Sequence, residues 1–279
     1  MKKNLPIQKR IVHVFPVLLV VVTLIFSVLT SPTIAHAAGP FTVNSTADTG
    51  DASPGNGVCA TAESVCTLRA AIQEANAFAG NDTITFAGNY TITLGSQLPA
   101  VTTTTIINGN GVANTIIQAN AASNTATYRI FESTAAGNLT LNNLTVQNGR
   151  CNGSCVTSTT VGGGIYNRGA LTITNSMVAN NSATTGGGGI YNWGVALMII
   201  NSTFSGMNAD TGGGAIFNGS GETSISNSTF TENFANTNAL NNGGAAIYNY
   251  STGPLTITNS TIYSNTSIGK GALFTALPH

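Results

Sequence analysis

Between Val161 and His279 the chain writes one sentence of sequence four times. The first copy runs Gly162-Gly-Gly-Ile165-Tyr166-Asn167, then Leu171-Thr-Ile173-Thr-Asn175-Ser176. Later copies place Ile190-Tyr191-Asn192, Ile216-Phe217-Asn218 and Ile247-Tyr248-Asn249 ahead of further Asn-Ser marks. The marks at 175, 201, 227 and 259 are spaced 26, 26 and 32 residues apart. A period of this size means stacked structural units, each burying a face against its neighbours.

Within a copy the residues alternate. Leu171 and Ile173 point one way and Thr172 and Thr174 the other, as do Leu255 and Ile257 against Thr256 and Thr258. Period two marks a strand with one buried face. A second run is Ile165-Tyr166-Asn167. A third follows the Asn-Ser mark, with Val178, Phe204, Phe230 and Ile262 as inward anchors. About three short strands per repeat make a parallel β-helix coil, whereas a propeller blade needs roughly 40 residues.

The corners have their own chemistry. Asn143, Asn175, Asn201, Asn227 and Asn259 are expected to stack at one corner, where Asn tolerates left-handed backbone and its amide can bond the coil above. The Gly runs serve another corner, where a side chain has no room. Weaker copies precede the four, at Leu139–Val146, and Ile106-Ile107 and Ile116-Ile117 read as further coils. About seven or eight coils, ~4.8 Å apart, are expected. Longer inserts at 150–161 and 236–242 map to surface loops.

The chain starts with Lys2, Lys3, Lys9 and Arg10, an apolar run over 11–29, and Ala35-His36-Ala37. Residues 1–37 read as a secretory signal peptide, with an uncleaved membrane anchor as the second reading. That leaves Arg69, Arg129, Arg150, Arg168 and Lys270 against nine acids, a net charge of −4. So weak a charge offers no footprint for nucleic acid or an anionic membrane, so membrane contact is expected only through the leader or a missing C-terminal anchor. The cysteines fall in two near pairs, Cys59 with Cys66 and Cys151 with Cys155. Local disulfides suit an exported chain, although four cysteines allow three connectivities. Metal binding is the weaker alternative, because each pair lacks a nearby His.

One segment breaks the β pattern. Over 66–76 apolar residues recur at helical spacing, giving a helix of about three turns that ends near Gly80. With Phe41-Thr-Val43 it is placed to cover the first open coil, whose bare strand edges would otherwise pair with other chains. The organisation read is 1–37 leader, 38–80 cap and 81–279 repeats.

Cys66-Thr67-Leu68-Arg69-Ala70-Ala71-Ile72 resembles the CSLREAI motif, with Ala70 where that family has Glu. The run from Phe41 to Gly50 and the position of Cys59 resemble the same domain. Gly213-Gly-Ala-Ile216 and Phe230-Thr-Glu-Asn233 look like the GGAI and FxxN repeats of polymorphic outer-membrane proteins. The resemblance covers most of 41–274 and implies an all-β, right-handed parallel β-helix with a short N-terminal capping helix, exported to a bacterial cell surface. Members often continue into a C-terminal anchor or barrel. No such segment is read before His279, so a freely secreted form or a piece of a longer protein is expected.

Parallel β-helices also carry polysaccharide lyases and glycoside hydrolases, which need paired carboxylates or a base with a charge stabiliser. After Asp82 the acids are Glu132, Asp210, Glu222 and Glu232. Glu232 stands where the other copies have Asn180, Gly206 and Ser264, a solvated corner position. No acid pair recurs at strand spacing, and the reading expects no catalytic residue, metal or cofactor. Binding is the preferred function. Tyr166, Tyr191, Phe217 and Tyr248 alternate outward in a column suited to sugar rings or a partner patch. The second copy departs from its own rule at Trp193, Met198 and Ile200, which gives it an apolar contact surface. Surface glycans or other proteins are the expected partners; a carbohydrate-active enzyme and a passive stalk are the alternatives.

Overall fold

The computed structural model describes residues 40–78, 80–153, 155–156, 160–236 and 243–275. The expected leader lies outside the described residues, as does most of the second insert. From Ala37 onward the chain forms one compact unit. Its strands stack in parallel in four sheets of eight, six, seven and five strands, the arrangement of a parallel β-helix.

One coil gives the plan. Ile190–Asn192 lies on face 1, Ala196–Ile200 on face 2, Thr203–Ser205 on face 3 and Asn208–Ala209 on face 4. Each strand pairs in register with its counterparts one coil away, so Ile165, Ile190, Ile216 and Ile247 form one column. The expectation of about three strands per coil is therefore corrected to four. The fourth, as in Ser182–Ala183, is two residues long and cannot display a period. A second correction concerns Ile106-Ile107 and Ile116-Ile117. They lie in the face 2 and face 3 strands of a single coil.

Alternation turns apolar side chains inward. Leu139, Leu171 and Leu197 stack in one column and Val146, Val178, Phe204 and Phe230 in another, all at most 1 % exposed. Phe204 and Phe230 stack with centroids 4.9 Å apart. Truncating either to Ala would cost about 3–5 kcal/mol.

The corner between faces 2 and 3 explains the Asn-Ser mark. Asn143, Asn175, Asn201, Asn227 and Asn259 all adopt left-handed backbone, with φ between +47° and +55°. The serine that follows ties coils together: Ser176 N donates to Ser202 Oγ at 3.2 Å and Ser202 N to Ser228 Oγ at 3.1 Å. Asn201 Nδ2 donates to Asn175 Oδ1 and Asn175 Nδ2 to Asn142 Oδ1. The amide chain thus passes through Asn142, while Asn143 supplies the turn. At the corner between faces 4 and 1, Gly187 has φ +65°, and a Cβ on Gly188 would lie 2.3 Å from the Asn208 carbonyl oxygen.

A deeper ladder runs inside face 1. Asn167 Nδ2 donates to Asn192 Oδ1 at 2.6 Å, Asn192 Nδ2 to Asn218 Oδ1 at 2.7 Å, and Asn218 Nδ2 to Asn249 Oδ1 at 2.6 Å. All four side chains are buried. Polar groups that are dry and paired in this way add to coil stacking, and losing one leaves its neighbour unpaired.

The cap is one helix, α1 (Leu68–Ala77), whose N-cap Thr67 accepts from Ala70 N. Its Leu68, Ala71, Ile72 and Ala75 are buried in the core. Arg69 forks onto Asp48 at 2.9 and 2.8 Å and also donates to the carbonyls of Ser96 and Gln97, tying the leading loop to the first coil. Buried Glu74 accepts from Gly55 N and Gly57 N. Strand Phe41–Val43 joins the edge of face 2 against Asn81–Phe86. The cysteines pair locally, Cys59 with Cys66 and Cys151 with Cys155.

One inward position carries a charge-bearing group. Asp82 is fully buried, neither of its oxygens has a partner among the described residues, and burial pushes its carboxyl up to about 6. Its column neighbour is Thr105.

Two outcomes follow. Asn192→Ala should lower stability by about 1–3 kcal/mol, by stranding the amides of Asn167 and Asn218, whereas Asn201→Gly at the exposed corner should be nearly neutral; equal melting losses would contradict the buried ladder. For Asp82 the folded state holds its proton more tightly than the unfolded state. Stability is then full below about pH 4 and declines by up to about 3 kcal/mol as pH rises to about 6. Asp82→Asn should flatten that part of the stability profile; an unchanged profile would refute the assignment.

Candidate functional site

The outward positions of face 1 build the most distinctive surface. Glu132, Tyr166, Tyr191, Phe217, Tyr248 and Phe274 stand in register on successive coils. Tyr191 and Phe217 stack at 4.7 Å with planes 8° apart, and Trp193 lies parallel to Tyr191 at 6.0 Å and 7°. Tyr166 meets Tyr191 edge-on, as Tyr248 meets Phe217. Burial pushes the Tyr191 phenol up to about 12, helped by neighbouring Tyr166, so it stays neutral across the physiological range.

Glycines let these rings lie flat. A Cβ on Gly219 would fall 2.2 Å from ring carbons of Trp193, and one on Gly212 would fall 2.8 Å from Tyr248. Gly219 therefore occupies the coil over which the indole is laid. The corner column after the Asn ladder reads Arg168, Trp193, Gly219 and Tyr250. Trp193 is the chain's one tryptophan.

The predicted contact residues separate into three groups. Tyr166, Tyr191 and Phe217 are half-buried rings, and Trp193 is 48 % exposed beside them. Tyr248 belongs to the same column but is only 5 % exposed, so it supports its neighbours more than it meets solvent. Met198 and Ile200 lie round the corner on face 2, paired with Thr172 and Thr174 on one side and Ser224 and Ser226 on the other. Met198 is exposed and Ile200 half-buried. Sequence reasoning passed over Val195 and Tyr250, both exposed. Carrying the alignment of copies through the corner would have found Tyr250.

The column begins in a charged cluster that was not foreseen. Glu132, 1 % exposed, takes Arg129 Nη1 at 2.9 Å and Arg168 Nη2 at 2.7 Å, with Gln97 Nε2 at 3.0 Å. Both guanidinium groups lie over the Tyr166 ring, at 4.9 and 5.4 Å. Burial lowers the Arg129 pKa, against the opposing pull of Glu132. Both Glu132 oxygens are thus engaged. Glu222 opens a face 2 strand, and Glu232 sits exposed in left-handed backbone, at φ +56°. Three coils separate Glu132 from the coil of Glu222, about 14 Å at ~4.8 Å per coil, beyond the 5–9.5 Å of paired glycosidase carboxylates. Among the described residues no group of three His, Cys, Asp or Glu side chains is placed to hold a metal ion.

What face 1 offers chemically is a column of mutually packed aromatic rings, headed by the Glu132–arginine cluster, with the exposed Trp193 indole at its side. Gly219→Ala should displace the indole, seen as a red shift of Trp193 emission and a weaker near-ultraviolet dichroism with the melting point nearly unchanged. Identical spectra would contradict the packing of Trp193 across that glycine. Comparison with protein-family models, with curated proteins and with solved structures found no match for this chain.

Proposed function

We propose that this chain is an exported surface protein of the CSLREAI kind that acts in adhesion or interaction, with face 1 as its glycan-binding surface. The observation that carries the reading is the near-parallel set Trp193, Tyr191 and Phe217. Parallel rings on a rigid strand stack are pre-organised, so little conformational entropy is lost on binding. Of these rings the exposed Trp193 indole can receive the apolar face of a sugar, supported by the stacked Tyr191 and Phe217, while neighbouring Asn, Ser and Thr side chains meet hydroxyl groups. The right-handed coil and the surface location belong to the same proposal and rest on the motif resemblance, while the secretory leader rests on the basic, apolar and Ala-x-Ala pattern of residues 1–37.

A protein partner is the second reading, favoured by Val195, Met198 and Ile200 on the adjoining face. Exposed apolar side chains bordering aromatic ones are enriched in interface cores. A carbohydrate-active enzyme is disfavoured, because Glu132 is committed to two arginines.

Titrating the purified chain with neutral oligosaccharides, such as chitotetraose and cellotetraose, tests this through the single tryptophan. Saturable change in Trp193 emission is expected, and calorimetry of the same titrations should show binding lost in Trp193→Ala and retained in Met198→Thr/Ile200→Thr. Binding weakened only by the latter pair would move the contact to face 2 and to a protein partner. No response to any sugar would reject the glycan reading, and shortening of the sugar would replace it with an enzyme.

A further inference from the structure

Face 4 carries a groove that the aromatic surface does not use. Its outward column is Arg150, Ser182, Asn208, Phe234 and Thr266, and its inward column is the small Cys151, Ala183, Ala209, Ala235 and Ser267. A cavity of about 210 Å³ opens over the first three outward rungs, walled by Asn124, Thr184 and Asp210.

Three features make this more than a surface dent. Among the described residues the Arg150 side chain makes one bond, from Nη1 to the Asn124 carbonyl at 2.8 Å. Neither Arg150 nor Asp210 takes part in an ion pair among the described residues. Ser182, 9 % exposed, keeps its Oγ buried at the groove with no partner among the described residues. A guanidinium and a carboxylate therefore flank a polar floor from opposite ends. Two rungs separate their backbones, about 10 Å at ~4.8 Å per coil, and no ion pair joins them among the described residues.

The geometry limits the ligand. An anchored guanidinium with free donors suits a carboxylate. Asp210 accepts hydroxyl or amide protons at the far end but repels a second anion. Between them stands the Asn208 amide, beside the buried Ser182 hydroxyl. The backbone offers nothing to an added strand, because Ser182 N already donates to Gly149 O and Asn208 N to Asn181 O. A peptide would lack its main-chain partners here. The volume lies below the roughly 300–1,000 Å³ of drug-sized sites, so it takes one or two units of a longer polar chain. We infer that the Arg150–Asp210 groove binds an acidic saccharide in which a carboxylate-bearing unit alternates with a neutral one. The inference shares the saccharide class with the preceding proposal, but it stands on another face and on other residues.

Calorimetric titration of the purified chain with a hyaluronan tetrasaccharide, tetragalacturonate and chitotetraose tests it. The alternating tetrasaccharide should bind. Arg150→Gln should weaken it by about tenfold or more, and Thr184→Phe, at an exposed wall position, should block it while leaving Arg150 in place. Trp193→Ala should leave it unchanged, and Asp210→Asn should raise the affinity for tetragalacturonate, which is charged on every unit. Binding that survives both Arg150→Gln and Thr184→Phe, binding lost in Trp193→Ala, or no binding of either acidic probe would overturn the groove. The chitotetraose response of Trp193 reports separately on face 1, so either site can fail alone.

Discussion

The four repeated coils are tied to one another by inward amides. In the chain Asn167–Asn192–Asn218–Asn249 each of the first three side chains donates to the coil after, and each of the last three accepts from the coil before. This chain fixes vertical register in a fold where apolar stacking alone is permissive. A column of Leu or Ile tolerates small slips, but an amide ladder loses a buried hydrogen bond at each rung if it shifts. The serines at the corner between faces 2 and 3 repeat the device through backbone N–H donors. Asn181 and Asn233 do so after face 3, where Asn181 Oδ1 accepts Gly149 N and Asn233 Oδ1 accepts Met207 N.

With stacking secured from inside, the outward positions are released from structural duty. That freedom is visible in how differently the four faces use it. Face 2 carries Thr and Ser with an intrusion of Met198 and Ile200. Face 1 carries rings, and glycines at 186, 212 and 219 give those rings backbone to lie on. Face 4 carries Arg150, Ser182 and Asn208 over a floor of small residues. A neutral aromatic face and a polar groove with separated charges thus sit on the same scaffold without sharing a side chain.

Much of this was legible in the sequence, and the failures have physical causes. The period, the inward Leu, Ile and Phe, the left-handed Asn corner and the capping helix could be read because each leaves a repeating or helical signature. The fourth strand of each coil could not, since two residues such as Ser182–Ala183 have no periodicity to show. The Asn of Ile-Tyr-Asn reads as part of a strand run with no role of its own, and only the register shows it buried and bonded to its counterparts. The partners of Glu132 could not be read, because one of them, Arg168, comes from the next coil. Arg150 and Asp210 lie 60 positions apart and meet only through stacking. The general rule is that columns of repeated residues can be read from one chain, whereas pairs formed once between different coils need the register.

The central claim is that inward ladders hold the coils while the outward rings of face 1 are left for a ligand. A crystal structure of the chain grown with chitotetraose tests it most directly. The account predicts a sugar ring packed on the exposed Trp193 indole, with the Asn167–Asn249 ladder unchanged beneath. A sugar seated elsewhere with face 1 bare, or rings turned inward with the ladder broken, would contradict it.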